Sequence, residues 1–487
     1  MKLPFDFSVG EEKLDIYPDS TQTFGDDWVF LAAHDGQDWL YASGETGSHF
    51  EGHSFFQNSG YNWTKIPLTS TNVAVLRRLF PFTAPVRVLG NDRSIGCGDR
   101  LGNATPGHVM AVLPYDVYPI LAQQSIRELN LTGRTYADVL DDVSIAVFKT
   151  GFTRGFGADG DHLKNAEDIK LVIDLGYSMV TLDCSDHINE DAEDAICACN
   201  LPSDIESYYL GKSFSLEGLD DIVFSKEQLH RTFIKYGGAI NFACNIYETL
   251  IAPVKYRVDF EISLDETATA TLPSEHFFVA SELIRRGVKF ETLAPRFCGE
   301  FQKGIDYIGD IVQFESELTI HAAIAKHYGY KLSIHSGSDK FSVFGIIGRG
   351  TSGKYHIKTA GTSWLEAMRL IAEKAPKLYR EIHRHALKSY AEALKLYTVK
   401  TDLSKTPNID SLADDKLATL FEIDEIRQLI HITYGQILTD KNEDGSYTFN
   451  DELRRLWRQY ANDYVDMIKK HIGKHLETLE CTYANYR

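Results

Sequence analysis

The chain lacks the features that mark membrane-spanning, exported and disulfide-stabilised proteins. Nowhere in its 487 residues is there an apolar run of the roughly 18 residues that a membrane span needs. Residues 1–18 lack the charged and apolar regions of a signal peptide. Seven cysteines scattered over so long a chain argue against a disulfide framework. We therefore expect a soluble cytoplasmic protein with no membrane partner.

Positive charge is also scarce. The chain carries 50 Lys and Arg against 69 Asp and Glu, which gives a formal net charge of -19. An acidic surface of this kind repels phosphate backbones, so we expect no nucleic-acid partner. If the substrate is an anion, local cations must overcome this global field.

Two short motifs are too weak to define a cofactor site. Cys197 and Cys199 form a C-x-C without a matching second pair, which is typical of loop or buried thiols rather than of zinc ligands. The motif GCGDRLG at 96–102 is spaced G-x-G-x-x-x-G and no crossover helix follows promptly, which argues against a dinucleotide site. Asp99 and Arg100 within it remain candidates for lining a pocket.

The hydrophobic pattern divides the chain into three regions. Residues 1–85 have short alternating apolar runs with Gly and Asp turns, and 28–44 predict a β-hairpin in a small β-rich lobe. Between 86 and 375, strand-like and helix-like segments alternate, which predicts a parallel sheet buried on both faces. The number of units favours closure into a (β/α)8 barrel over an open doubly wound sheet. Residues 376–487 are predicted to form a helical extension.

The strands of the predicted barrel are assigned to short apolar segments. These are 84–90, 107–114, 143–149, 178–185, 256–263, 288–297, 330–337 and 355–361. Helices are predicted to run up to Gln123, over 166–176 and over Gln313–Tyr328, and GFGADGDH at 155–162 is predicted to be a glycine-rich loop. Because such barrels carry their chemistry at the carboxyl ends of the strands, residues that follow these segments are the candidates for a site.

Two histidines stand at predicted strand exits. His335 ends an apolar approach and precedes a Ser-Gly turn in SIHSGSDKFS, and His162 follows Asp161 at the end of the glycine-rich loop. Imidazole nitrogen combined with oxygen donors suits zinc and its neighbours in the divalent series, and an open catalytic site needs only three protein ligands. The sequence therefore predicts a divalent-metal site with a general base beside it.

A third ligand is less clear from the sequence. The loop at 299–310 leaves the same predicted rim and offers Glu300, Gln302 and Asp306, one of which is the favoured candidate. His321 lies well inside a predicted helix, away from its rim-side end, so a packing role is favoured for it.

Carboxylates and a lysine close other predicted strands. Alternation places Glu261 on one face of its strand and brings Asp265 and Glu266 to the rim, where clustered carboxylates suit a proton donor. Lys149 and Asp183 are expected to end two further strands, and Lys149 is a candidate Schiff-base former or the partner of a carboxylate.

Rim loops also offer groups that suit a sugar acid. Arg296, Lys303 and Lys340 are candidates to bind a carboxylate, which an arginine would bind through two parallel hydrogen bonds. Ser336 and Ser338 are candidates to bond sugar hydroxyls, although each alone is more often a backbone cap.

Five long motifs occur in an order that is found in one enzyme family. They are GFGADGDHLKNAEDI, SLDET, LAPRFCGEFQKGIDYIGD, YKLSIHSGSDKFSVF and HIKTAGTSWLEAMRLIA, within about residues 96–372. Together they resemble the tagaturonate epimerase family, bacterial enzymes of hexuronate catabolism. The resemblance implies interconversion of D-tagaturonate and D-fructuronate with a divalent metal such as Zn, Mn, Co or Ni. It further implies these roles: proton acceptor Asp161, proton donor Glu266, and metal ligands His162, Gln302 and His335.

Inversion of C4 (ketose numbering) requires more than enolisation. C4 is β to the C2 carbonyl, so its hydrogen is not acidified by the ketone. Removal of the C4 hydroxyl proton instead allows the C3–C4 bond to break in a retro-aldol step, and re-addition to the other face of the aldehyde inverts the carbon. Carboxylates arriving from two strands suit the proton transfers at the C4 oxygen.

Other functions remain open at this point. Proteins similar to the family act on neutral ketohexoses, so D-fructose and D-tagatose are further expected substrates. A metal-dependent class II type aldolase would release the fragments of the same retro-aldol step, and an aldose-ketose isomerase would shift hydrogen between C1 and C2. A noncatalytic carbohydrate-binding protein needs no pair of rim histidines with acids beside them. We expect a small keto sugar or keto sugar acid as the partner, and self-association into a homo-oligomer.

Overall fold

The computed structural model describes residues 8–9, 12–52, 54–58, 60–191, 200–397 and 399–480. The predicted C-x-C pair, Cys197 and Cys199, lies outside the described residues. Among the helices of these ranges, none has both the length and the apolar character needed to cross a membrane.

An antiparallel sheet forms the first part of the described chain. Its six strands are Asp15–Ile16, Gln22–Phe24, Asp27–His34, Gln37–Ser43, Ser54–Asn58 and Tyr61–Ile66. The predicted hairpin is confirmed, since Asp27–His34 pairs with Gln37–Ser43. Asp35 and Gly36 form its turn with φ of 53° and 70°, and a two-residue hairpin turn of type I′ requires positive φ at both positions.

Eight parallel strands close into a barrel, as the sequence predicts. Numbered in chain order, β1 to β8 are Arg93–Cys97, Tyr118–Ser125, Gly157–Leu163, Met179–Asp183, Asp259–Ser263, Thr292–Ala294, Lys331–Ile334 and Tyr355–Thr359. Pairing of β8 with β1 completes the closure. Because all the strands run in one direction, their carboxyl ends meet at a single rim. Two small antiparallel pairs lie outside the barrel, Ser8–Val9 with Glu12–Lys13 and Ser213–Phe214 with Ile222–Val223.

Helices surround the barrel and continue beyond it. Ser70–Leu79 follows the N-terminal sheet. Around the barrel lie Thr105–Val112, Ile126–Thr132, Tyr136–Thr150, Ala166–Leu175, Ser203–Tyr209, Lys226–Ile246, Pro273–Arg285, Ile311–Tyr328, Phe341–Gly350 and Thr362–Lys374. The C-terminal helices are Pro376–Ala393, Asp424–Ile432, Tyr434–Thr439, Asn450–Gln459 and Ala461–Thr478. The predicted fold class is confirmed by this arrangement.

Individual elements near the start of the barrel differ from the prediction. In the segment 107–114, predicted as a strand, residues 107–112 belong to the helix Thr105–Val112, and the helix predicted to run up to Gln123 gives way to strand β2, Tyr118–Ser125. The short helix is apolar almost all round because it also packs against the C-terminal helix Ala461–Thr478. Gly107 allows that approach, since a Cβ there would lie 2.6 Å from Cβ of Ile468. Periodicity cannot separate such a fully buried helix from a buried strand.

The prediction is also wrong around β3. Residues 143–149, predicted as a strand, lie in the helix Tyr136–Thr150, and the glycine-rich segment predicted as a loop is β3 itself. Lys149 therefore does not close a strand; its Nζ lies 2.9 Å from Oδ2 of Asp38 in the N-terminal sheet. The glycines of β3 belong in a strand because neighbouring apolar side chains occupy the space of a Cβ, as Val172 does beside Gly160.

Candidate active site

A polar cavity opens at the carboxyl ends of the barrel strands. Its lining residues are Arg100, Gln123, Ser125, Arg127, Glu128, Asp161, His162, Glu266, Lys303, Gly304, His335, Ser336, Ser338, Lys358, Ala360 and Tyr397. They come from strands, from the loops that follow strands, and from the C-terminal extension. The cavity thus lies at the rim where (β/α)8 enzymes carry their chemistry.

Three potential metal ligands converge at this rim. His162 lies near the end of β3, Asp265 follows β5 and His335 follows β7. One potential ligand atom from each of these residues lies within 4.8 Å of those of the other two. The two imidazole rings are 4.9 Å apart between centroids and nearly perpendicular, at 79°. Two imidazoles and one carboxylate suit a divalent ion that keeps open positions for a substrate.

The hydrogen bonding of the two histidine rings indicates whether His162, Asp265 and His335 could bind a cation. Nδ1 of His335 is buried 2.9 Å from Oδ1 of Asp265, yet the two atoms make no hydrogen bond. Nδ1 of His162 and Oδ2 of Asp183 are likewise buried without a hydrogen bond, 3.5 Å apart. Buried polar atoms without a hydrogen bond are costly and rare. Nitrogen and oxygen atoms gathered in this way could bind a shared cation. Nε2 of His335 lies 2.8 Å from Oε1 of Glu261, which fixes the ring.

A local backbone distortion directs Asp161 and His162 into the same cavity. Neighbouring strand residues normally face opposite sides of a sheet. His162 instead has a left-handed φ of 54°, and the pairing of β3 with β4 shifts register between Gly160 and Leu163. Such a bulge re-aims side chains, and a non-glycine residue in this conformation costs about 1–3 kcal/mol, a strain typical of functional sites.

Lys358 of β8 lines the cavity and binds three carboxylates. Its Nζ lies 2.7 Å from Asp159, 2.7 Å from Asp161 and 2.9 Å from Glu261. Burial alone would lower the pKa of Lys358, but these acids outweigh it and hold the pKa well above the usual value. Lys358 therefore stays protonated and fixes acids from two strands.

The charges of these groups follow from their neighbours. Burial alone would raise the pKa of Asp161, but Lys358 and the two histidines outweigh it and hold the pKa at about 2. Burial raises the pKa of Asp159 to about 6 in spite of Lys358. Burial would lower the pKa of His162, yet nearby carboxylates, Asp161 first among them, raise it to about 10. Asp161 is therefore ionised at neutral pH.

Four of the sequence-predicted substrate-binding residues line the cavity. Nζ of Lys303 lies 2.9 Å from Oγ of Ser336, beside His335. Ser338 also lines the wall, but its hydroxyl donates to a backbone carbonyl at 3.1 Å. Arg100 lines it as well, and its guanidinium is buried in an ion pair with Glu128 at 2.8 Å.

Three others lie outside this lining. Lys340 is buried, with Nζ donating to the carbonyls of Gln302 and Ser338 at 2.8 and 2.9 Å, and burial lowers its pKa to about 7. Asp99 accepts backbone N–H groups of the loop that follows β1, which is the role of a turn cap. Arg296 lies in the loop after β6, and its side chain is not part of the cavity wall.

Gln302, the third ligand implied by the resemblance, is engaged elsewhere. Its Oε1 accepts hydrogen bonds from Nε2 of Gln428 at 2.9 Å and from the backbone N–H of Lys400 at 3.2 Å. Its Nε2 donates to Glu300. The structure gathers Asp265 with the two histidines, and Gln302 is not among the residues that line the cavity.

The alternatives for the third ligand also have structural partners. His321 is fully buried, with Nδ1 2.8 Å from Nδ1 of His276, in agreement with the expected packing role. Glu300 pairs with Lys400. Asp306 accepts the hydroxyl of Ser342 at 2.9 Å, at the start of the helix Phe341–Gly350.

Comparison with known proteins identifies the family. The sequence profile of tagaturonate epimerase matches residues 17–479. The chain belongs to the tagaturonate epimerase family. A relative from Thermotoga maritima named tagaturonate/fructuronate epimerase is 41% identical over 466 residues, which cover 93% of this chain and 94% of the relative.

Solved structures agree with this assignment. The native crystal structure of the fructuronate-tagaturonate epimerase of Cohnella laeviribosi is similar with a TM-score of 0.93 and 46% identity, over 97% of both chains. A glycerol complex of that enzyme gives a TM-score of 0.92 and 46% identity, over 96% of this chain and 97% of the other. The family likeness predicted from the motifs is confirmed and extends over nearly the whole chain.

Sequence reasoning missed two cations in this member of the tagaturonate epimerase family. Lys358 stands at an inward position of a strand that was recognised only by its apolar residues. Arg127 lies in the helix that follows β2, and Nη2 of its guanidinium is 3.3 Å from Oε1 of Glu266. The sequence pattern predicts a helix where β2 lies, so the residues after β2, Arg127 among them, were not expected at the rim.

Proposed function

We propose that this protein is a divalent-metal-dependent epimerase that inverts C4 and interconverts D-tagaturonate and D-fructuronate. The observation that carries the proposal is the convergence of His162, Asp265 and His335 in a tagaturonate epimerase family member, with both histidines lining one cavity together with Asp161 and Glu266. The names of the relatives from Thermotoga maritima and Cohnella laeviribosi support the choice of substrate.

The proposed metal centre consists of His162, Asp265 and His335. A zinc, manganese, cobalt or nickel ion bound there would act as a Lewis acid towards the C2 and C3 oxygens of the substrate and stabilise the negative charge of an enediolate. Glu261 orients His335 through Nε2, which leaves Nδ1 as the nitrogen that faces Asp265.

Asp161 is the proposed proton acceptor. It lines the cavity and is ionised at neutral pH, so it can take the proton of the C4 hydroxyl. As that proton leaves, the electron pair of the C3–C4 bond moves to C3, C4 becomes an aldehyde carbon, and the C1–C3 part becomes an enediolate. Lys358 contacts both Asp161 and Asp159, and a pKa of about 6 for Asp159 suits temporary storage of a proton nearby.

Glu266 is the proposed proton donor on the opposite face. It reaches the cavity from the loop after β5, whereas Asp161 comes from β3. After the aldehyde turns over, the enediolate carbon C3 adds to the other face of C4, and Glu266 protonates the new C4 alkoxide. The two acids exchange roles in the reverse direction, as microscopic reversibility requires.

Neutral ketohexoses undergo the same bond changes at C3 and C4. We therefore include D-fructose and D-tagatose as secondary substrates. An aldolase and an aldose-ketose isomerase remain outcomes that the test below can detect.

The test uses protein stripped of metal with a chelator and then supplied with Zn, Mn, Co or Ni separately. Each sample is incubated with D-tagaturonate and with D-fructose, and the products are separated by chromatography. We expect metal-restored D-fructuronate, with less D-tagatose from the ketose. Full activity of the stripped protein would contradict the metal centre, an aldose product would indicate an isomerase, and free three-carbon products from the wild type would indicate an aldolase.

A further inference from the structure

Four lysine and arginine side chains line the cavity in the described part of the chain, and two of them are already neutralised. Arg100 has a side chain only 2% exposed and pairs with Glu128. Lys358 has a side chain only 3% exposed and binds three carboxylates. The other two, Arg127 and Lys303, are the candidates to receive the charge of a substrate.

Arg127 is held at one edge and accessible at the other. Nη1 donates to the carbonyl of Leu396 at 2.9 Å, and the guanidinium carbon lies 5.2 Å from the centroid of the Tyr397 ring. Nη2 faces Glu266 at 3.3 Å, which is long beside the roughly 2.7–2.9 Å of a strong charge-assisted bond. The side chain is 37% exposed and lines the cavity, where Glu266 is the partner of Nη2.

The geometry points to Arg127 as the residue that binds the C6 carboxylate of the uronate and tethers the aldehyde fragment during epimerisation. This inference rests on the proposed function. Breaking the C3–C4 bond leaves a three-carbon fragment with the aldehyde at C4 and the carboxylate at C6. C4 presents its other face only if the fragment rotates about C4–C5, and an anchor at C6 permits that rotation while it prevents escape.

Arg127 suits this role better than Lys303 does. A guanidinium presents two parallel donors that match the two oxygens of a carboxylate, whereas an ammonium acts as a point charge. Lys303 donates to Ser336 beside the proposed ligand His335, which places it near the enediolate part of the substrate. Arg127 contacts Glu266, the acid proposed to act at C4, so C6 is only two carbons away.

Glu266 and the substrate carboxylate would compete for the same edge of Arg127. When the uronate binds, its carboxylate replaces Glu266, which is then free to turn towards the C4 oxygen. A neutral ketohexose has no C6 carboxylate and gains neither the tether nor this release. Arg127 is therefore a determinant of the preference for uronates over neutral ketoses.

The first experiment measures binding without turnover. D-glycerate reproduces C4 to C6 with the carboxylate, and glycerol is its neutral counterpart; both are titrated calorimetrically into the wild type, Arg127→Gln and Arg127→Lys. We expect Arg127→Gln to weaken glycerate binding by about tenfold or more, as loss of charge-assisted hydrogen bonds implies, and to leave glycerol binding unchanged. Arg127→Lys should keep part of the affinity.

Two further variants make this test specific. Arg349→Gln is the matched control, because Arg349 is exposed and pairs with Glu480 far from the cavity lining. Its glycerate affinity should equal that of the wild type. Glu266→Gln removes the internal competitor of Arg127 and should bind glycerate more tightly. Equal glycerate affinity in the wild type and Arg127→Gln, or no affinity in the wild type, would overturn the inference.

The second experiment detects escape of the fragment. With D-tagaturonate, Arg127→Gln should lose about 10²-fold or more in kcat/KM and release aldehyde that a coupled reductase traps, whereas the wild type releases almost none. Slow epimerisation by Arg127→Gln without released aldehyde would overturn the tether. A wild type that does not epimerise D-tagaturonate would refute the proposed function, and the glycerate titration would still decide whether Arg127 binds carboxylates.

Discussion

Two clusters of one aspartate and two histidines differ in the groups that surround them. The rim cluster is His162, Asp265 and His335, and the latch cluster is Asp339, His471 and His475; in each, the potential ligand atoms lie within 4.8 Å of one another. The rim cluster faces the cavity, whereas the latch cluster joins the loop after β7 to the C-terminal helix Ala461–Thr478.

The carboxylate of the latch cluster already has cationic protein partners. Nε2 of His475 accepts the backbone N–H of Asp339 at 3.0 Å, and its Nδ1 donates to the carbonyl of His471 at 2.9 Å. The Asp339 carboxylate lies 2.8 Å from Nε2 of His471 and 2.7 Å from Nη2 of Arg427. A metal ion would have to displace hydrogen bonds and approach a guanidinium.

The difference shows that proximity of ligand types does not by itself make a metal site. What separates the two is the guanidinium of Arg427, 2.7 Å from Asp339 in the latch cluster, and the cavity that His162 and His335 line in the rim cluster. The latch cluster instead fixes the loop that carries Ser336 and Ser338 into the cavity wall.

The largest expected effect separates the clusters by activity. His335→Gln removes a proposed ligand and should lower kcat/KM for D-tagaturonate by about 10³-fold or more, with loss of bound metal and an unchanged circular dichroism spectrum. His471→Gln should keep bound metal and most of the activity. Metal analysis of both purified variants gives the comparison, and loss of metal from His471→Gln alone would reverse the assignment.

The next largest effect concerns stability. Asp339→Asn leaves Arg427 and His471 without their buried counter-charge, which should lower the free energy of unfolding by about 3–5 kcal/mol. Urea denaturation measures this loss. Glu480→Gln, which removes an exposed ion-pair carboxylate, is the control and should change the free energy by less than about 1 kcal/mol. A similar small loss in Asp339→Asn would show that the latch contributes little.

The pH dependence of the latch has a definite sign. Burial would lower the pKa of His471, but Asp339 and Glu366 outweigh it and raise the pKa above the ordinary 6.5. Its contribution to stability is therefore complete below pH 6.5 and is lost as pH rises through the raised pKa. The difference in unfolding free energy between the wild type and His471→Gln should be larger at about pH 5.5 than at about pH 9. An equal difference at both pH values would contradict a charged His471.

The smallest effect is expected at His475. Burial lowers the pKa of His475 to about 4, so at neutral pH it acts as a neutral hydrogen-bonding group. His475→Gln retains a donor and an acceptor and should lower the free energy of unfolding by only about 1 kcal/mol. Urea denaturation of His475→Gln and Asp339→Asn compares the two losses of unfolding free energy. A larger loss in His475→Gln would mean that the packing of His475 outweighs the ion pairs of Asp339.

The later part of the barrel was predictable because its sequence pattern is distinctive. Strands β4 to β8 lie within the predicted segments, and alternation correctly brings Asp265 and Glu266 beyond the end of β5. The earlier part was not, since the helix Thr105–Val112 is buried on nearly all sides and β3 is rich in glycine. The pattern of apolar residues and glycines indicates burial and backbone freedom. It does not distinguish a buried helix from a buried strand, or a glycine-rich strand from a loop.

The sequence by itself determined the family, the barrel with its two flanking regions, and the presence of His162, His335, Asp161 and Glu266 at the rim. Only the tertiary structure showed Asp265 beside the two histidines, placed Lys358 among its acids and brought Arg127 to Glu266. The reason is physical. Which residues end a strand is a local property, whereas which side chains meet across a barrel depends on closure, register and a bulge at His162.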